Sequence, residues 1–91
     1  MYQIQGFYCR MPDDYDTIYI RYKSEDGIIH GVRINDIPDE ELHDEGMTLW
    51  DHIEEHGKDG TYVNLLSTFE VIFNDHIDAI LQLPEYPPPH A

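Results

Sequence analysis

Ninety-one residues make one small domain, enough for a modest core but small for an enzyme that also needs a closed cleft. At 41% apolar residues, with eleven isoleucines, seven tyrosines and one tryptophan, the composition is that of a folded chain and not a disordered one. Nineteen acids against five Lys and Arg leave a net charge of −14, which repels nucleic acid and anionic membranes and attracts basic partners.

The first third reads as β-structure. Residues 2–11, YQIQGFYCRM, are rich in aromatic and β-favouring types, with Gly6 placed for a bulge. This stretch lacks a basic leader ahead of a long apolar core, and no run in the chain approaches the ~18 apolar residues of a membrane span. A cytoplasmic protein, in the host cell if phage-encoded, is the expectation. Cys9, the lone cysteine, excludes an intrachain disulfide and reads as a buried, inert thiol. Residues 12–16, PDDYD, read as a turn.

TIYIRYKS and IIHGVRI flank Glu25-Asp26-Gly27, and the pattern selects their register. A two-residue Asp26-Gly27 loop sets Ile20 opposite Arg33. A three-residue loop with Gly27 left-handed pairs Ile18 with Ile34, Ile20 with Val32 and Tyr22 with His30, so that one face is apolar. Tyr19, Arg21, Lys23 and Arg33 then share the outward face. The second register is preferred.

From Asn35 acids dominate, and Pro38 before DEEL suits one short helical turn. After Gly46, Thr48 is a candidate cap for a second helix, with Asp51 in its first turn and Gly57 as its stop. Leu49, Trp50 and Ile53 form its apolar stripe. Residues 61–66 read as a strand. A helix follows over about 67–82, with Ser67 and Glu70 as a capping box and Leu66, Phe69, Phe73, Ile77 and Ile80 at helical spacing. The competing reading is a hairpin about Asn74-Asp75, with Phe69, Val71 and Phe73 on one side. PEYPPPHA, residues 84–91, reads as an extended polyproline tail after a domain spanning 1–83. The expected fold is α+β: an antiparallel sheet of three or four strands from the N-terminal half, packed against one or two helices.

His52, Glu55 and His56 match H-x-x-E-H, the inverted zinc-protease motif. Six histidines and eight glutamates produce that match by chance in roughly one such chain in thirty, so the letters alone are weak evidence. Glu70 or His43 is the candidate third ligand, but boundary histidines beside Leu49 and Ile53 are the simpler reading. No metal and no cofactor are expected. Ser24 and Ser67 stand outside G-x-S-x-G, Cys9 has no recognised nucleophile context, and the glycines form no phosphate loop. The chain therefore reads as non-enzymatic, with no catalytic residues.

Charge layout says more. Asp36, Asp39, Glu40, Glu41, Asp44, Glu45, Asp51, Glu54, Glu55 and Asp59 face a single cation, Lys58, within 24 residues. Ordinarily such a run is a solvated face that keeps a small protein soluble. Projected from capped, helical backbone, it becomes a rigid array able to imitate nucleic-acid phosphates. In size, charge and acid layout the chain resembles small nucleic-acid mimics and toxin-neutralising inhibitors: phage anti-restriction and anti-CRISPR proteins, nuclease inhibitors and immunity proteins. It carries no motif of theirs, so no site residue is taken from them. Two alanines against eleven isoleucines fit an AT-rich genome such as many phages have.

The expected partner is a basic nucleic-acid-binding protein, a nuclease or defence complex, bound by those ten acids with Tyr15 and Tyr19. Direct contact with nucleic acid or membrane is not expected. A homodimer through an exposed edge strand is an option. The alternative is an adaptor or accessory subunit that binds a protein through exposed tyrosines without mimicry, drawing on Tyr15, Tyr19, Tyr22, Tyr62, Trp50 and Tyr86.

Overall fold

A computed structural model describes residues 1–10 and 14–85, with all their side chains except those of Arg10 and residues 14–17. Three antiparallel strands come first: β1 (Gln3–Arg10), β2 (Asp14–Lys23) and β3 (Ile29–Arg33), in the order β1-β2-β3. A 3-10 turn (Ile34–Asp36) leads to α1 (Glu40–His56) and α2 (Gly60–Asp75), followed by the single turn α3 (Ile77–Ile80). The fold is α+β, a three-stranded sheet in the N-terminal half packed against two long helices. No helix among the described residues is long and apolar enough to cross a membrane.

The hairpin has the expected register. Ile20 pairs with Val32 and Tyr22 with His30, and Ser24 N–H donates to Ile28 O at 3.0 Å to close a loop of Glu25, Asp26 and Gly27. Gly27 has φ +87°, a conformation that a side chain disfavours. Gly6 lies at the expected bulge: Ile4 faces Tyr22 while Gly6 faces Arg21, so one residue of β1 is extra. The bulge changes the phase of the strand, which lets Ile4 and Phe7, three apart, both point into the core. Cys9 is half-buried, not fully buried as expected.

Residues 14–16, expected in a turn, are already β2 backbone. Pro12 and Asp13 lie outside the described residues, as do Tyr86–Ala91 of the expected tail.

The two helical readings need correction. Glu40 to His56 is one continuous helix, not a turn followed by a Thr48-capped helix. Its cap is Asp39, whose carboxylate accepts the Leu42 N–H at 2.9 Å, and the Thr48 hydroxyl instead donates to Asp44 O, one turn back. Gly46 is no breaker. A Cβ there would lie 2.6 Å from Ile34 Cδ1, so glycine lets the helix approach the 3-10 turn. Gly57, φ +74°, does end α1 as expected.

Residues 61–66 are helical and not a strand, because Asp59 caps α2 by accepting the Tyr62 N–H at 2.8 Å. Ser67 is therefore mid-helix and donates to Val63 O, while Glu70 reaches across to β1. The hairpin reading of this segment is excluded. α2 ends at Asp75, with α3 continuing to Ile80 and not to 82.

The core lies between the sheet and the helices. Ile20, Tyr22 and Val32 meet Ile34, Leu42, Leu49, Phe69, Phe73 and Ile80, all essentially without solvent contact. Both sheet edges are engaged by side chains. On β1, Glu70 accepts the Ile4 N–H at 2.8 Å, while Asn74 accepts the Tyr2 N–H and donates to Tyr2 O. On β3, Glu85 accepts the Gly31 N–H at 3.0 Å and contacts His30 Nδ1 at 2.8 Å. Carboxylates and an amide thus occupy positions that a further strand would need.

Candidate functional site

The continuity of α1 decides what its acids can do. Glu40, Glu41, Asp44, Glu45, Asp51, Glu54 and Glu55 are all exposed on this 17-residue helix, which carries no Lys or Arg. Leu42, Gly46 and Leu49 bury the opposite side. At 100° per residue, Glu40, Asp44, Asp51 and Glu55 fall within about 60° of one another, diametrically away from the core. The fifteen steps from Glu40 to Glu55 span about 22 Å, so the seven charges average one per about 3.7 Å of axis, in two groups, Glu40 to Glu45 and Asp51 to Glu55, separated by about 9 Å. One strand of a nucleic-acid duplex carries a charge about every 3.4 Å.

This layout costs stability. Glu40–Asp44, Glu41–Glu45 and Asp51–Glu55 are like-charged pairs one turn apart, each unfavourable by roughly 0.2–0.5 kcal/mol. Only Glu40 and Glu41, in the first turn, gain from the helix dipole. The ion pairs that α1 acids make among the described residues are with neighbouring histidines, Asp44–His43 at 3.2 Å and Glu55–His56 at 3.7 Å.

The remaining three acids lie off α1. Asp36 is half-buried in the 3-10 turn. Asp39 caps α1 and lies 3.7 Å from His76 Nε2. Asp59 caps α2 and accepts from His52 Nε2 at 2.8 Å. The structure thus places seven of the ten predicted acids on one helix, four of them on the line away from the core, and sets Asp39 and Asp59 apart as helix caps and Asp36 in the 3-10 turn.

The histidine motif resolves into this joint. His52 and His56 stack one turn apart, ring centroids 4.9 Å apart, but His52 spends Nε2 on the residue that caps the next helix. Glu70 is bonded to β1 and His43 lies beside Asp44, so neither candidate third ligand is present. Among the described residues no group of three His, Cys, Asp or Glu is placed to hold a metal.

The hydrogen bond from His52, and then that from the Tyr62 N–H, hold the Asp59 carboxyl below the ordinary range. With the folded value below the unfolded one, the ionised group adds stability above about pH 4, and this is lost as pH falls through the folded value. Asp59→Asn keeps a capping oxygen but not the charge. Its fall in melting temperature below about pH 4 is expected to be shallower than that of the parent chain in calorimetry. Superimposable acid limbs would show that the charge of Asp59 is not linked to folding.

Tyr19 is half-buried on the sheet face away from the helices, so the structure does not bring it together with the acids; the Tyr15 side chain lies outside the described residues. Tyr19 stacks on Tyr8 at 5.5 Å, and the Arg21 guanidinium stands 5.6 Å from the Tyr8 ring centre. Tyr8 was not singled out from the sequence. The signal was there in Ile4 and Phe7, which share a face only if a bulge follows Ile4, and that places Tyr8 outward. Tyr22 and Tyr62 are buried, so neither offers an exposed tyrosine; Trp50 is half-buried, and Tyr86 lies outside the described residues. Comparison with protein-family models, curated proteins and solved structures found no match to this chain.

Proposed function

We propose that this chain is a non-catalytic inhibitor that lays the acidic face of α1 in the basic nucleic-acid-binding or catalytic groove of a partner protein. The observation that carries this reading is the single uninterrupted helix bearing seven exposed carboxylates. Their mean density along the axis, about one charge per 3.7 Å, is near that of one nucleic-acid strand. Three repulsive pairs on one helix, with caps supplied by separate aspartates, support a use for that charge outside the fold. The partner class is a nuclease or host-defence complex of the kind met by anti-CRISPR, anti-restriction or immunity proteins. Association is fast and weakens with salt.

The second reading, an adaptor, now rests on the Tyr8–Tyr19 stack and Arg21 on the opposite face of the sheet. Affinity capture from a host lysate at low and high salt separates the two. Capture of a basic nuclease that is released by salt and by added DNA or RNA, and whose cleavage the chain inhibits, supports the inhibitor reading. A partner retained in high salt and indifferent to nucleic acid sinks it and favours the adaptor.

A further inference from the structure

We propose that the outward face of the sheet binds single-stranded nucleic acid, whose bases stack on Tyr8 and Tyr19 while its phosphates meet Arg21, Lys23 and Arg33. Strand alternation places these side chains. Ile20, Tyr22 and Val32 point into the core, so Tyr19, Arg21, Lys23 and Arg33 point away from it, and Tyr8, directly opposite Tyr19, shares their side. Three of the chain's five Lys and Arg thus lie on one face. Among the described side chains, no outward position of the three strands bears a carboxylate. At the rim, Glu25 meets the N-terminal ammonium, Asp26 the Ser24 hydroxyl, and Glu85 the Gly31 N–H and His30.

The rings form a platform. Tyr8 and Tyr19 stack with centroids 5.5 Å and planes 27° apart. A Cβ on Gly6 would lie 2.9 Å from Tyr8 Oη and 3.1 Å from two of its ring carbons, so the ring lies over the glycine instead of standing out from the sheet. Tyr8 is still 37% exposed, with the Arg21 guanidinium 5.6 Å from its centre. Bases of any sequence stack on such rings, and neighbouring cations hold the backbone. Here Arg21 and Lys23 stand about 7 Å apart along β2, and Arg33 lies opposite Tyr19, so cations flank the rings. The net charge of −14 argues against nucleic acid only if it is evenly spread, and it is not. The acids of α1 that point away from the core lie on the far side of a molecule whose shortest dimension is 26 Å, against a screening length of about 8 Å at physiological salt. This occupant differs from the protein of the adaptor reading, and the inference does not rest on the α1 reading.

Fluorescence anisotropy of labelled oligothymidylate and oligouridylate, each about eight nucleotides long, titrated with the full chain at physiological salt tests this. Circular dichroism confirms that each variant is folded. Binding of one or both strands in about the 10–100 μM range is expected, and the tighter of the two identifies DNA or RNA as the ligand. Tyr8→Ala is expected to weaken it about tenfold, and Tyr8→Phe, which keeps the ring, to leave it unchanged. Arg21→Gln and Lys23→Gln should each weaken it a few-fold and flatten its salt dependence. Amides at Glu40, Asp44, Asp51 and Glu55 should leave it intact or tighten it, which separates this site from the α1 face. Three results overturn the proposal: neither strand bound at millimolar chain, poly-glutamate of the same length bound as tightly as the oligonucleotides, or Tyr8→Ala binding as tightly as the parent chain.

Discussion

Replacing Glu40, Asp44, Asp51 and Glu55 by their amides is expected to cost roughly a thousandfold in affinity for the basic partner while leaving the fold at least as stable. These four lie on the line opposite the buried side of α1 and belong to no cap. If each carboxylate contributes about 1 kcal/mol to partly desolvated pairs across the interface, four contribute about 4 kcal/mol. Within the free protein the change removes the Glu40–Asp44 and Asp51–Glu55 repulsions, worth roughly 0.2–0.5 kcal/mol each. Loss of Glu40 from the first turn offsets part of that gain. Affinity and function thus move in the direction opposite to stability, which a merely structural set of residues does not do. Binding measured over a salt series should also show a shallower dependence, with fewer charges engaged. The control is an equal number of amides at Glu25, Asp26, Asp75 and Asp78, all exposed and off α1. Equal losses from both sets would mean that bulk charge, not the α1 face, drives association, and the mimicry reading would fail.

The hairpin was legible because three independent local signals agree: alternation in TIYIRY, alternation in IIHGVRI, and a glycine where the loop needs positive φ. The helices were legible in type but not in extent, and the reason is common to both. Gly46 and Thr48 look like a break and a cap, yet Gly46 is set by close approach to Ile34, which lies twelve residues earlier. Ser67 and Glu70 have the spacing of a capping box, yet Glu70 is held by the Ile4 N–H, sixty-six residues away. In each case a tertiary contact gives a local signal its real meaning. Asp39 and Asp59 were counted as charges although both satisfy helix N-termini, and their positions beside Glu40 and Gly60 were the available clue. The acidic face itself was visible in composition. That its acids stand on one continuous helix depends on a boundary that the letters placed wrongly.

Phe73→Ala is expected to remove about 3–5 kcal/mol of stability, a large part of the roughly 5–15 kcal/mol available to a domain of this size. Phe73 has no solvent contact, meets the Tyr22 ring edge-on at 5.0 Å and lies 5.9 Å from Phe69. Tyr22 in turn stacks on His30 at 5.1 Å, so the cavity opens where α2, β2 and β3 meet. Burial, with Glu85 and Tyr2 nearby, pushes the Tyr22 phenol up to about 12, so the ring that borders the cavity stays neutral at ordinary pH. The neighbouring substitution makes the prediction diagnostic. In a hairpin, Phe69, Val71 and Phe73 share one face, so Val71→Asp would cost as much as Phe73→Ala. On α2, Val71 points away from both phenylalanines and is 54% exposed, so Val71→Asp should change stability by no more than about 0.5 kcal/mol. Urea unfolding gives both numbers, read as a shift in midpoint at constant slope. Similar losses at the two positions would contradict the helical assignment of this segment. A severe loss at Phe73 beside an unchanged Val71→Asp fixes the period of the segment at that of a helix.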